Sequence, residues 1–167
     1  MTTPFVAVLM GSDSDLPTMQ ATLDVLKKFD IRFEAKVTSA HRTPAATHAY
    51  VQDAEARGCK VFICAAGLAA HLAGAVAGIT TRPVIGVPID NGPLQGHDAL
   101  LSTVMMPGGV PVATVAIGKA GAKNAGYLAA QMLSCGDEDL AVRVKAERAE
   151  CAEEVAAKDA KLQAKLA

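Results

Sequence analysis

An α/β three-layer αβα sandwich around a five-stranded parallel sheet, followed by a long C-terminal helix, is the fold this sequence predicts. Three observations carry that reading. Short β-branched apolar runs alternate five times with longer helical stretches, the pattern of strand–helix–strand units with right-handed crossovers. Several of the runs are apolar at every position, which suits strands covered on both faces. The chain has 167 residues, the size of one domain, and can bury roughly 70% of the surface its unfolded form exposes.

The strands are read at residues 5–10, 32–38, 60–65, 83–88 and 111–117, and the helical stretches at 16–29, 44–57, 69–79, 97–105 and 122–133. The second helix has a normal entry, with Thr43 at the N-cap and Pro44 in the first helical position. Beyond Gly136 the character changes. Residues 137–167 hold 14 charged residues out of 31, with no Gly and no Pro, whereas residues 1–136 hold 19. That tail reads as one helix opened by Asp137, Glu138 and Asp139 at its positive end. Its apolar pairs Leu140/Val144, Cys151/Val155 and Leu162/Leu166 recur every 11 residues, a period that keeps one narrow stripe on a nearly straight helix. Residues 1–136 are therefore read as a single catalytic domain, with the helix part of the same unit. The helix lies either across its own domain or on a neighbouring subunit.

Composition excludes several classes of function. Sixteen Lys+Arg against 17 Asp+Glu leave a net charge of −1, without the basic stripe that grips nucleic acid. Aromatics are 4% with no Trp, too few for base-stacking platforms. No window approaches 18 apolar residues, and residues 1–4 lack the basic start of an export signal. Cys59, Cys64, Cys135 and Cys151 form no CxxC pair, and are expected to be small buried hydrophobes in a reducing compartment. The expectation is a cytoplasmic protein with no metal, nucleic-acid or membrane partner. The 33 Ala and 14 Gly residues suit close helix packing and tight loops.

In open α/β sheets, ligands bind beyond the carboxyl ends of the strands. Strand 1 ends in Gly11-Ser12-Asp13-Ser14-Asp15. This is either an anion site built from backbone N–H groups and hydroxyls or plain helix capping. Its acidic residues would repel an anion, so at least one should face a neutral hydroxyl such as a ribose. Strand 2 ends in Ser39-Ala40-His41-Arg42. Arg42 at a helix N-terminus is unfavourable unless an anion sits there too, and His41 beside it suits acid and base roles near neutrality. Strand 3 ends in a run from Ala65 to Gly74 that contains no carboxylate, and its small residues let a flat ligand approach the backbone. His71 there either touches ligand or caps a helix turn, while His48 reads as structural. The segment 91–98 is an aperiodic loop, and Pro107 to Pro111 form a rigid turn. Gly118-Lys119 lacks the rest of a phosphate-binding Walker loop, and no GxGxxG is present.

Taken in order, Met10–Asp15 (MGSDSD), SAHRTP at 39–44, AAHL at 69–72, MPGGVPV at 106–112 and AIGKAGAKNA at 116–125 closely resemble the 5-(carboxyamino)imidazole ribonucleotide mutase family of purine biosynthesis, the catalytic PurE proteins. The resemblance implies a flavodoxin-like sandwich, a cytoplasmic homo-octamer and an isomerase without cofactor. Such an enzyme moves the carboxylate of N-carboxyaminoimidazole ribonucleotide from the exocyclic nitrogen to ring carbon 4. It implies His41 as the catalytic residue, and Ser12, Asp15 and Arg42 as ribonucleotide-binding residues. Gly11, Ser14, Ser39, Ala40, Gly67, Ala70, His71 and Leu72 complete the expected site. A sister subgroup carboxylates aminoimidazole ribonucleotide directly with carbon dioxide, and the intact AAHL segment favours the mutase over it. A non-catalytic module that binds a phosphorylated metabolite is the other alternative. Strand 3 departs from the family pattern: Leu68 stands where Gly is frequent, and either narrows the pocket or points away from it.

Overall fold

The computed structural model describes residues 4–166. Five parallel strands, β1 (Phe5–Met10), β2 (Phe33–Val37), β3 (Cys59–Ala66), β4 (Val84–Pro88) and β5 (Ala113–Thr114), form one sheet in the order β2-β1-β3-β4-β5. Helices α1 (Leu16–Lys28), α2 (Pro44–Ala56), α3 (Leu72–Ala77), α4 (His97–Val104) and α5 (Gly118–Ser134) alternate with them, and α6 (Glu138–Leu166) follows. This is the flavodoxin-like order, whose reversal of direction lies beside β1 and β3. The chain divides into two compact units, one ending at Ala129 and the other beginning at Ala130.

In the first unit, β1 is buried at every residue because it runs between β2 and β3, with Val6 opposite Phe33 on one side and Val61 on the other. Alternate side chains point to opposite faces. Phe5, Ala7 and Leu9 therefore pack with Phe62 and Cys64 against Val51 of α2 and Leu72 and Val76 of α3. The other face is left to α1 and α5, which approach closely. A Cβ on Gly126 would lie 2.8 Å from Cβ of Val25, and the Thr22 hydroxyl donates to the Ala122 carbonyl at 2.6 Å. In the second unit, Asp137 caps α6 by accepting from the Leu140 N–H at 2.9 Å, and residues 151–166 are exposed throughout. No helix among the described residues is long and apolar enough to cross a membrane.

Three elements differ from the sequence reading. Strand 5 shrinks from 111–117 to two residues, because Pro111 lacks an N–H for the ladder and the strand is an edge with β4 as its sole neighbour. α3 starts at Leu72 rather than 69, because Leu68 turns the chain through the left-handed region at φ +56°. α5 starts at Gly118 rather than 122. Gly118 sits at φ +71° beneath the Asp90 carboxylate, and a Cβ there would be 2.9 Å from its Oδ2. The cysteines also divide. Cys59 and Cys64 are buried, with the Cys59 thiol pushed up to about 11 by burial, whereas Cys135 and Cys151 are exposed.

Candidate active site

The loop after β1 turns at Gly11 into a 3-10 turn, Asp13–Asp15, before α1. Ser12 and Asp15 form a capping box. The Ser12 N–H donates to Asp15 Oδ2 at 3.1 Å, and the Ser14 N–H donates to the Ser12 hydroxyl at 3.3 Å. Capping and cavity lining therefore coexist here rather than compete. Asp15 is 2% exposed. Burial raises its carboxyl above the usual range, opposed by the Ser12 N–H and aided by the charge of Asp13.

The loop after β2 is held by hydroxyls. The Ser39 N–H donates to the Thr43 hydroxyl at 3.0 Å, and that hydroxyl donates to the Ser39 carbonyl at 3.1 Å. Thr43 does occupy the N-cap of α2, with Pro44 in the first turn, but its side chain bonds back to Ser39 instead of capping the helix. A buried Thr38–Thr47 hydroxyl contact of 2.7 Å lies beneath. This frame presents Arg42 outward. Its Nη2 donates to the Gly11 carbonyl at 3.1 Å, so the guanidinium bridges the first two loops. Among the described residues no carboxylate pairs with it.

His41 and His71 converge from the loops after β2 and β3. His41 Nε2 and His71 Nδ1 are 2.5 Å apart, with ring centroids at 4.7 Å and planes at 81°. One ring must donate and the other accept, so the pair shares a single proton along this line. His71 also occupies the N-cap position of α3 but makes no side-chain capping bond. Its imidazole is thus committed to His41. His48 is exposed on α2 and lies outside the site. His97 opens α4, with Nδ1 3.0 Å from the Leu94 carbonyl.

These loops enclose a cavity of about 360 Å³, within the range of small-ligand sites. Gly11, Ser12, Asp15, Ser39, Ala40, His41, Arg42, Gly67, His71 and Leu72 all line it, as do Ala66, Leu68, Ala69 and Asn91. Ser14 and Ala70 do not. Ser14 is exposed and acts on Ser12, to which its hydroxyl donates at 2.8 Å, and Ala70 is buried below the loop. A second depression continues past Ser12, Ser39 and Arg42 to Asp13, Thr38 and Thr43. Leu68 thus lines the pocket rather than pointing away. Asn91, from the loop after β4, is the polar cavity residue that the sequence reading missed. An Asn-Gly pair closing a strand was its only local signal, and that pair marks a turn wherever it occurs. Among the described residues no three His, Cys, Asp or Glu side chains converge as a metal site.

Comparison with known proteins places these loops in a family. The family model described as AIR carboxylase matches residues 5–154. A protein of Bacillus subtilis named N5-carboxyaminoimidazole ribonucleotide mutase is 55% identical over 145 residues, which are 87% of this chain and 90% of that one. A Mycobacterium tuberculosis protein of the same name is 54% identical over 160 residues, 96% of this chain and 91% of its own. The crystal structure of Treponema denticola PurE superimposes with a TM-score of 0.86 at 32% identity, covering 95% of this chain and 98% of that one. With the fold and most of the chain in common, this protein belongs to the AIR carboxylase family.

Proposed function

We propose that this chain is an isomerase of purine biosynthesis, converting N-carboxyaminoimidazole ribonucleotide into the 4-carboxylated aminoimidazole ribonucleotide. The observation that carries the reading is that one cavity is lined by Arg42, which has no carboxylate partner among the described residues, by Ser12 and by the His41–His71 pair. A phosphate on Arg42 and Ser12 has charge-assisted partners. Asp15, held by the Ser12 N–H, accepts from the ribose hydroxyls. The imidazole then lies against the small residues Ala66 and Gly67, beside the histidines.

The reaction balances without a cofactor. The carbamate C–N bond breaks, its electron pair stays on nitrogen, and nitrogen gains a proton as carbon dioxide leaves. Ring carbon 4 of the electron-rich aminoimidazole then attacks carbon dioxide, and the tetrahedral carbon gives up its proton. The net change moves one proton from carbon to nitrogen, and His41 supplies and recovers it in turn. His71 orients the ring and sets its tautomer through the shared hydrogen bond. An enclosed cavity keeps the two fragments together, so recombination competes with escape.

The test compares freshly prepared N-carboxyaminoimidazole ribonucleotide with aminoimidazole ribonucleotide plus bicarbonate. Rapid turnover of the first alone supports the mutase. The description of the matched family favours one second reading, direct carboxylation, which requires turnover of the second mixture at the higher rate. Binding without turnover of either would reduce the protein to a phospho-metabolite module. We also propose a cytoplasmic homo-octamer in which the α6 stripe contacts a neighbouring subunit. Light scattering of the chain truncated before residue 138 checks this, and an unchanged mass refutes that role for α6.

A further inference from the structure

The loops after β3 and β4 interlock through two side chains, each filling the space over a glycine of the other loop. The Asn91 carboxamide occupies the place a Cβ on Gly67 would take, and a Cβ on Gly92 would lie 2.6 Å from Cδ2 of Leu68. Leu68 and Gly92 both hold left-handed backbone to make this fit, at φ +56° and +81°. The carboxamide is thereby fixed against Gly67 on the wall of the cavity that Leu68 and His71 also line. Among the described residues it makes no hydrogen bond of its own, so its polar atoms are available to a ligand.

Its place in the sheet says which part of a ligand it meets. The loops stand in the order of their strands, β2, β1, β3, β4, about 4.8 Å apart in the hydrogen-bonding direction. Arg42 leaves β2 and Asn91 leaves β4, at opposite ends of that row. With phosphate on Arg42 and Ser12, and ribose on Asp15, the base reaches the His41–His71 pair and its ring substituents point to the far wall. That wall is Asn91 and Leu68.

Resting on the assignment of the reaction above, we propose that Asn91 is a further substrate-binding residue, which selects the carboxylated imidazole over the uncarboxylated one. A carboxamide offers two donors and one acceptor. Its N–H groups donate to the 4-carboxylate, a group that only the carboxylated nucleotide carries. Leu68 keeps the wall beside it apolar, so the polar contact is confined to one point.

The test measures binding by calorimetry for the parent, Asn91→Ala and Asn91→Asp, each with aminoimidazole ribonucleotide and with its 4-carboxylated product. Asn91 is exposed, so both variants should fold, and circular dichroism verifies that they do. Both variants should bind the uncarboxylated nucleotide close to the parent's affinity. Asn91→Ala should bind the carboxylated product roughly tenfold more weakly, the loss of a hydrogen bond to a charged group. Asn91→Asp should lose more, because carboxylate then faces carboxylate. A carboxylated-to-uncarboxylated affinity ratio unchanged in both variants overturns the proposal and leaves the assigned reaction standing. A parent protein that binds neither nucleotide overturns the reaction, and the role of Asn91 with it.

Discussion

Replacing Leu68 first by Ala and then by Gly separates its packing from its backbone strain. The side chain is 52% exposed, so about half of a leucine's burial is at stake, and Leu68→Ala should destabilise by about 1 kcal/mol. The backbone stays at φ +56°, where a residue with a Cβ stands about 1–2 kcal/mol above its relaxed state. In an ordinary position, changing Ala to Gly costs roughly 0.5–1 kcal/mol through the freedom of the unfolded chain. At position 68 that cost is outweighed by release of the left-handed strain. The Gly variant should therefore exceed the Ala variant by about 0.5–1 kcal/mol, or about 1–4 °C in Tm for a chain of this size. Urea unfolding at one fixed protomer concentration reads the difference free of any assembly effect. A Gly variant less stable than the Ala variant by the ordinary margin would show that Leu68 carries no strain.

Three further outcomes test the site and its support. His41→Asn should bind nucleotide within a few-fold of the parent while turnover falls by roughly 10²–10⁴, and near-parent interconversion of the two carboxylated nucleotides would move the acid–base role to His71. Arg42→Leu should weaken nucleotide binding about tenfold or more, with a much smaller loss for the dephosphorylated nucleoside; equal losses for the two ligands would remove Arg42 from the phosphate. Glu34 accepts from Arg57 and Tyr50, and the Arg57 bond above all holds its carboxyl below the usual glutamate range. That stabilisation is complete above the ordinary glutamate value and is lost as pH falls through the lower folded-state value. Glu34→Gln should thus lower Tm at pH 7, and the gap to the parent should close in acid. A gap that persists there would mean that packing, not charge, is what Glu34 provides.

What the sequence revealed followed from local chemistry. The apolar run at 5–10 had to be a buried strand, and Thr43-Pro44 had to open a helix, because periodicity and the fixed φ of proline act within a few residues. The loops that resemble the family named His41, Arg42, Ser12 and Asp15, and the fold brings all four to one cavity. The features that were not legible depend on partners distant in the chain. Leu68 adopts left-handed backbone only because the loop after β4 receives its side chain, and Asn91 joins the site only because β4 lies beside β3. Gly118 starts a helix early because Asp90, 28 positions before it, closes over its backbone. The short β5 reflects its edge position, which no window of its own residues records.

The reciprocal seating of Asn91 over Gly67 and Leu68 over Gly92 also constrains how this chain can change over generations. A side chain gained at Gly92 must displace the leucine from a backbone already at φ +81°, and one gained at Gly67 must evict the carboxamide. Either step taken first runs into that side chain; after Leu68 or Asn91 has been shortened the nearest obstacle is gone, while the left-handed backbone at Gly92 still strains any side chain placed there. The order of substitutions therefore matters as much as their identity, and the two loops form one epistatic block whose effects do not add. Residues grafted into this wall from a relative should be moved as a set of four, because any single exchange is tested against partners fitted to its predecessor.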